Sequence, residues 1–274
     1  MMSFLESIVY GLISGFAEFL PVSSLSHQIV LLRLIGVHER DPIRDLLVHI
    51  AVILALLTAC RSMLLKIRRE RRLVSSRRRS KGYATKGLYD LRLIRTASVP
   101  LLICLLLTVS TKPLESNLMY IALFSFLNGI ILIIPEHISH GNKDARSMSA
   151  FDGILIGISG ALSVLPGVSR IAAMHTYATI RGADKRHSLN WALLLSIPAL
   201  LVLCGFDVLR LFTAVGPFSF PIFAGYVLSA ISAYFAAYAG ILFAQFLTVR
   251  TGFAGFGYYS LGVALFSVIL YLIA

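Results

Sequence analysis

Two short polar stretches interrupt runs of apolar residues, and they carry the side chains best suited to chemistry. The first holds Glu18, Pro21, Ser23, Ser24 and His27. The second reads Pro166-Gly167-Val168-Ser169-Arg170. A carboxylate, an imidazole and a guanidinium are costly at membrane depth, so such groups mark a functional site by default.

The second stretch has the residue types of an anion site. Gly167 permits a close backbone approach or a positive φ. Ser169 and Arg170 open a predicted helix, and the free N–H groups of a helix N-terminus favour anions, phosphate in particular. Arg170 adds a permanently charged planar fork that matches phosphate oxygens. We therefore expect Gly167, Val168, Ser169 and Arg170 to bind phosphate, with a purely structural Arg170–Glu18 pair as the alternative.

The first stretch has the residue types of an acid–base or metal site. Glu18 and His27 lie on opposite sides of Pro21, so a hairpin could bring them together. Near a phosphate, such a pair can exchange protons or ligate a divalent cation. Ser23 or Ser24 could act as a nucleophile if a base lies adjacent, or could cap the following helix. His49, early in the next apolar segment, is more typical of a packing residue.

The composition predicts a polytopic membrane protein that is entirely α-helical. Of 274 residues, 57% are hydrophobic and 14% are charged, whereas a soluble domain carries roughly 25% charged residues. The apolar residues are spread over the whole chain, which argues against a soluble domain with one anchor. We expect no removable signal peptide, because a charged n-region and a small-residue cleavage site are lacking. The three cysteines are typical of buried structural thiols.

The net charge of +12 is concentrated in one segment. Residues 61–95 contain thirteen Lys and Arg against Glu70 and Asp90. A basic loop between two spans is a cytoplasmic topology signal that lies against anionic lipid headgroups. This charge distribution disfavours nucleic acid as a partner and indicates anionic membrane lipids instead.

The apolar segments predict six transmembrane helices and two re-entrant helix pairs in a single membrane domain, residues 1–274. The spans are placed at about 46–60, 96–111, 118–134, 188–206, 221–247 and 254–273, and the broken runs at 3–31 and 150–180. With loop 61–95 inside, nineteen Lys and Arg lie inside and five outside. The first repeat, 1–134, and the second, 150–274, are then inverted, and the two breaks meet at mid-membrane as in many transporters.

These residues resemble a known family, the undecaprenyl-diphosphate phosphatases of bacteria, also called the bacitracin-resistance family. The resemblance is carried by Glu18-Phe19-Leu20-Pro21-Val22-Ser23-Ser24 with His27, and by Pro166-Gly167-Val168-Ser169-Arg170. It extends to 45–56 and 188–199, and so covers most of the chain in order. The paired motifs are fairly specific, whereas either one alone is weak.

The resemblance implies six spans plus two re-entrant pairs, and removal of the terminal phosphate from undecaprenyl diphosphate at the outer face of the bacterial inner membrane. It implies a divalent cation, Mg²⁺ or Ca²⁺, and a polyprenyl diphosphate lipid as the partner, and it leaves a homodimer open. On the matching positions Glu18 and His27 are acid–base or metal-linked groups, and Ser24 is a candidate nucleophile. Ser169 and Arg170 grip the diphosphate, with Arg170 also counted as catalytic. From their places beside these residues we expect Ser23, Gly167 and Val168 to bind the substrate as well.

The chain departs from the family pattern at several positions. Ser14 stands where the family has a second acidic residue, one helical turn before Glu18. Loss of that carboxylate should weaken metal binding or proton transfer. Polar family positions also read Leu25, Ile171 and Met174 here. Two alternatives to a phosphatase therefore stay open, namely a lipid-phosphate flippase and a non-catalytic homologue that binds lipid phosphate.

Overall fold

The computed structural model describes residues 2–37, 40–76, 86–109, 111–137, 141–212 and 220–273. Within this part the chain forms twelve α-helices. They are α1 (Phe4–Phe19), α2 (Ser24–Leu34), α3 (Pro42–Ala59), α4 (Arg61–Ser76), α5 (Lys86–Leu105), α6 (Lys112–Glu115), α7 (Leu118–Ile133), α8 (Ala150–Ala161), α9 (Arg170–Ile180), α10 (Lys185–Leu211), α11 (Phe220–Arg250) and α12 (Ala254–Ile273). The predicted all-helical class is confirmed for these residues.

Six segments of the described chain are long and apolar enough to cross a membrane, which confirms the predicted number of spans. They are Pro42–Ala59, Tyr89–Thr108, Leu118–His137, Lys185–Leu211, Phe220–Arg250 and Ala254–Ile273. Each overlaps one predicted span. α3 and α10 begin a few residues earlier than predicted, because Asp41 and Asp184 cap their first turns.

Both broken runs form two helices separated by a non-helical segment at the predicted position. α1 ends at Phe19 and α2 begins at Ser24, and the two helices pack against each other. α8 continues as a short 3₁₀ turn, Leu162–Val164, before α9 begins at Arg170. With 16, 11, 12 and 11 residues, each arm is shorter than the roughly 20 residues of a span. That both pairs are re-entrant stays a prediction.

The basic segment 61–95 was predicted to be a loop, but its described residues are helical. Residues 61–76 form α4, and α5 begins at Lys86. Met63, Leu64 and Ile67 follow the helical spacing of one face. Met63 and Leu64 pack against the hydrophobic core, which gives the basic segment a reason to be helical. Residues 77–85, in the middle of the predicted loop, lie outside the described residues.

The two halves repeat the same construction. A serine caps both α1 and α8 in a capping box with an acidic residue three positions later. The pairs Ser3/Ser149, Ser23/Ser169 and Gly36/Gly182 are each separated by 146 residues, and both glycines have positive φ.

The helix contacts follow the same correspondence, since α1 packs on α11 as α8 packs on α5. Likewise, α3 packs on α11 as α10 packs on α5. Three candidate spans separate the pair α1–α2 from the pair α8–α9, which is the odd number that an inverted repeat requires. The inversion itself stays a prediction.

Candidate active site

The two breaks lie against each other and exchange hydrogen bonds. The Gly167 N–H donates to Ser23 Oγ at 3.2 Å. In the opposite direction, the Ser169 hydroxyl donates to the Leu20 carbonyl at 3.2 Å. Each break therefore supplies a serine hydroxyl to a backbone group of the other. These non-helical backbone groups find their hydrogen-bond partners inside the protein, as a lipid environment requires.

Asn128 on α7 joins the two breaks. Its Nδ2 donates to the Pro21 carbonyl at 3.2 Å and to Ser260 Oγ at 3.0 Å, and its Oδ1 accepts the Ser169 N–H at 2.8 Å. The side chain is fully buried. Asn128 was not predicted as a site residue, although an amide inside an otherwise apolar span was a usable signal.

The same serines cap the helices that leave the breaks. Ser23 Oγ accepts the Ser26 N–H at 3.4 Å, and Ser169 Oγ accepts the Ala172 N–H at 3.3 Å. The predicted capping role of Ser23 is confirmed. Among the described residues, the N–H groups of the first two residues of α2 and of α9 have no hydrogen-bond partner. Two helix N-termini therefore present free donors at the junction of the breaks.

Gly167 is required by both its conformation and its packing. Its φ of +128° is strongly disfavoured for residues with a side chain. A Cβ at this position would also overlap the backbone of α7 at Phe124 and Ser125. The second break is therefore pressed directly against α7.

Arg170 and Glu18 form an ion pair across the two breaks. The Arg170 side chain is 5% exposed and the Glu18 side chain 13% exposed. Arg170 Nε is buried and has no hydrogen-bond partner in the described part of the chain. A buried donor without a partner is costly, so one hydrogen bond is left unmade at the start of α9.

A cavity of about 740 Å³ contains most of the predicted site. Six predicted residues line it, namely Glu18, Ser23, Ser24, Val168, Ser169 and Arg170. Gly167 lies behind this wall, against α7. Ser24 is already engaged, because its hydroxyl donates to the Ser14 carbonyl at 3.1 Å and accepts from Gln28 Nε2 at 3.2 Å.

His27 does not line this cavity. Its Nδ1 lies 2.6 Å from the Ser23 carbonyl and its Nε2 lies 2.8 Å from the Tyr259 hydroxyl. The imidazole ring also stacks on the Tyr259 ring. His27 lines a separate apolar cavity of about 700 Å³ on the other side of the first break, where its neighbours include Phe16 and Phe235. The structure thus brings Glu18 and Arg170 together, and it does not bring Glu18 and His27 into one cavity.

His49 and Asp207 line the polar cavity instead. His49 Nδ1 lies 2.6 Å from Asp207 Oδ2, and both side chains are largely buried. From the sequence, His49 is more typical of a packing residue, and Asp207 was not predicted. A carboxylate near the end of the apolar span Lys185–Leu211 was the signal that could have found it.

Charged pairs also line the mouth of the cavity. Arg40 pairs with Asp45 at 2.9 Å and with Glu115 at 3.4 Å. Arg210 lies 3.4 Å from Asp45 and 3.6 Å from Asp207. Burial lowers the pKa of the Arg40 guanidinium, but the carboxylates of Asp45 and Glu115 raise it by more. The net result is a pKa above the ordinary value of arginine. The mouth is therefore charged but internally compensated.

The described side chains do not form a complete metal site. Among them, no group of three or more His, Cys, Asp or Glu is placed to hold an ion. Glu18 is already paired with Arg170. The Ser14 hydroxyl donates to the Tyr10 carbonyl at 2.6 Å, within its own helix, and Ser14 does not line the cavity.

Comparison with known proteins places this site in a family. Residues 7–266 match the family described as bacitracin resistance protein BacA. A protein named undecaprenyl-diphosphatase from Sulfurovum sp. (strain NBC37-1) is 28% identical over 97% of this chain and 98% of its own length. Another of that name, from Prochlorococcus marinus (strain MIT 9312), is 29% identical over 85% of this chain and 87% of its own. The chain belongs to the bacitracin resistance protein BacA family.

Proposed function

We propose that the chain is a membrane phosphatase that hydrolyses undecaprenyl diphosphate, or a related polyprenyl diphosphate, to the monophosphate. This reaction recycles the lipid carrier of cell-wall synthesis. Family membership over nearly the whole chain supports the proposal, as do relatives named undecaprenyl-diphosphatase that match over most of their length. The polar cavity at the junction of the breaks supports it independently.

The observation that carries the proposal is the surroundings of Arg170. Its guanidinium keeps a buried Nε without a partner, beside two helix N-termini that present free N–H groups. Fixed donors of this kind bind a phosphate and stabilise the negative charge that develops during its transfer. Glu18 holds the guanidinium from one side and leaves its other donors for the substrate.

The remaining predicted roles can be ranked on the same geometry. Ser24 lines the cavity and could be a nucleophile only after giving up its bond to the Ser14 carbonyl. His27 faces the apolar cavity, so its predicted acid–base role would need a rearrangement of the Tyr259 contact. Both roles stay predictions.

The location that fits this reaction is the bacterial inner membrane, with the site open to the outer side. Its lining includes Arg40, Glu115 and Arg210, and each belongs to a segment that the charge count places outside. The basic helix α4 would then lie at the inner surface against anionic lipids. A homodimer remains an open expectation for the assembled protein.

The divalent cation that the family resemblance implies is proposed only as an ion that arrives with the diphosphate. Mg²⁺ is commonly held by one or two carboxylates together with substrate phosphates, and Glu18 is the carboxylate nearest to Arg170. Phosphate release is measured with Mg²⁺, with Ca²⁺ and with a chelator, in the parent and in Ser14→Glu. If the missing carboxylate limits metal use, Ser14→Glu lowers the Mg²⁺ concentration for half-maximal rate. Equal Mg²⁺ dependence in the two proteins would argue against this reading.

The test of the phosphatase proposal is phosphate release by the purified full-length chain. Farnesyl and undecaprenyl diphosphates are supplied in detergent with Mg²⁺ or Ca²⁺, beside an Arg170→Ala control. We expect turnover by the parent and a loss of about 100-fold or more in the control, because one preorganised donor to a transition state commonly contributes that much. Release by the parent no faster than by Arg170→Ala would overturn the proposal.

A lipid-phosphate flippase is the second candidate, and the repeated helix pairing favours it. Two halves with matching contacts and broken helices at their junction are typical of transporters. A fluorescent polyprenyl phosphate in vesicles separates the candidates. Transport without phosphate release would favour the flippase, and phosphate release without transport would exclude it.

A further inference from the structure

We propose that His49, oriented by Asp207, is the proton acceptor for the water that attacks the diphosphate. This inference rests on the proposed phosphatase function and assigns a role to a pair that no motif marks. Nε2 of His49 takes a proton from water as the water oxygen bonds to the terminal phosphorus. The bond from that phosphorus to the bridging oxygen breaks, and the electron pair leaves with the polyprenyl monophosphate.

The first support is the geometry of the pair. The contact of 2.6 Å between His49 Nδ1 and Asp207 Oδ2 is a short hydrogen bond across two helices. A carboxylate at Nδ1 fixes the imidazole tautomer and leaves the lone pair of Nε2 free. Among the described residues Nε2 has no hydrogen-bond partner. The same carboxylate stabilises the imidazolium that forms after proton transfer.

The second support is placement in the same cavity as the phosphate grip. His49 and Asp207 line the wall that also contains Glu18, Ser24 and Arg170. His49 lies seven residues into α3, about 10 Å below the start of that helix. Its side chain is 12% exposed, and it lines the cavity beside Asp207 of α10.

The third support is the absence of another free imidazole in this cavity. His27 has hydrogen-bond contacts at both ring nitrogens and lies in the apolar cavity. Among the described residues His49 is the only histidine that lines the polar cavity. Glu18 is paired with Arg170, so its carboxylate is already engaged.

The charges around His49 are arranged to favour a transient imidazolium. The carboxylate of Asp207 contacts it, and that of Asp45 lies one turn earlier on its own helix. The arginines at the mouth of the cavity are paired with those carboxylates and with Glu115. The charged or titratable groups on the surrounding elements are Tyr10 and Glu18 on α1, Arg33 on α2, Arg40 before α3, Arg44 and Asp45 on α3, Glu115 on α6, Arg170 on α9, Cys204, Asp207 and Arg210 on α10, and Tyr226 and Tyr234 on α11.

The test compares His49→Gln, Asp207→Asn and the double variant with the parent in the full-length chain. A His137→Gln variant is the matched control, because His137 is exposed and lies outside the cavity. The kcat and KM for farnesyl diphosphate are measured from pH 5 to 9. The Kd of a methylene-bridged farnesyl diphosphonate, which cannot be cleaved, reports whether each variant is folded and binds.

We expect His49→Gln to lower kcat about 100-fold, with an unchanged diphosphonate Kd and without the fall in rate at acid pH. Asp207→Asn should lower kcat less, because the imidazole stays in place and loses only the group that orients it. The double variant should be no slower than His49→Gln, and His137→Gln should match the parent.

A His49→Gln variant that keeps the parent kcat and pH profile would overturn this inference and leave the phosphatase proposal intact. So would a variant whose lower rate comes entirely from a weaker Kd, because that result assigns His49 a structural role. A parent chain without turnover would instead overturn the phosphatase proposal, and this inference with it.

Discussion

The two breaks of this chain share a backbone design and differ in their side chains. In both, a serine caps the following helix and also bonds to the opposite break. Counting 146 residues forward, the counterpart of Ser24 is Arg170 and the counterpart of Pro21 is Gly167. The first break therefore contributes a hydroxyl and, through Glu18, a carboxylate. The second contributes the cation.

This difference separates the residues that maintain the backbone of the breaks from those that would act on the substrate. The capping serines are the same in both halves because both must satisfy a buried helix end. The charged residues differ because one phosphate needs a cation from one side and a group that holds this cation from the other. We therefore expect substitutions of the shared serines to affect mainly stability, and substitutions of the charged residues that differ to remove activity as well.

The largest effect is expected when the ion pair between the breaks is removed in two steps. Arg170→Met should abolish measurable turnover and destabilise the protein by about 3–5 kcal/mol, because Glu18 is left as an unpaired buried charge. Adding Glu18→Gln should restore most of the stability and none of the activity. Thermal unfolding in detergent and phosphate release are the two measurements. Recovery of activity in the double variant would mean that Arg170 serves structure alone.

The next effect compares the counterparts Gly167 and Pro21. Gly167→Ala should destabilise the protein by about 3 kcal/mol or more, because it combines a disfavoured φ with overlap against the α7 backbone. Pro21→Ala should change stability by only about 1 kcal/mol, since its main effect is to raise the conformational entropy of the unfolded chain. Equal losses in unfolding midpoint for the two variants would contradict the asymmetry that we assign to the breaks.

A third substitution tests the residue that joins the breaks. Asn128→Leu removes three hydrogen bonds and leaves the Ser169 N–H buried without its acceptor. Such a loss costs about 2–4 kcal/mol in all. Asn128→Asp keeps the acceptor and loses the donors, so it should keep more of the order around Ser169. Hydrogen exchange at residues 165–172 measures this directly. Equal protection in both variants would show that the bond from Ser169 N–H to Asn128 Oδ1 does not order this segment.

The smallest effect compares the two capping serines. Each change to alanine loses a cap worth about 1 kcal/mol. Ser23→Ala also leaves the Gly167 N–H without an acceptor, whereas Ser169→Ala removes one donor from the Leu20 carbonyl. Because a buried unpaired N–H is the rarer and costlier fault, Ser23→Ala should be the more destabilising of the two. A lower unfolding midpoint for Ser169→Ala would show that the bond from Ser169 to Leu20 contributes more to stability than the bond from Gly167 to Ser23.

Much of this could be predicted from the sequence because membranes impose strict rules on it. The six spans follow from apolar length, and both breaks follow from proline, glycine and serine inside apolar runs. Ser169 and Arg170, which are adjacent in the chain, both line the polar cavity. That they bind phosphate stays a prediction.

What could not be predicted depends on contacts between distant segments. His27 belongs to the first motif, yet its ring turns towards Tyr259, which lies 232 positions along the chain. Asn128, His49 and Asp207 carry no local motif, and each matters only because another helix brings a partner to it. The helical part of the basic segment was missed because its apolar residues are few among the arginines.

The most direct test of the account is a structure of the full chain with a methylene-bridged polyprenyl diphosphonate. We predict that the terminal phosphonate lies within hydrogen-bond distance of Arg170 Nε and of the first N–H groups of α2 and α9. Bound phosphonate in the apolar cavity beside His27 and Tyr259, with Arg170 Nε still without a partner, would contradict it.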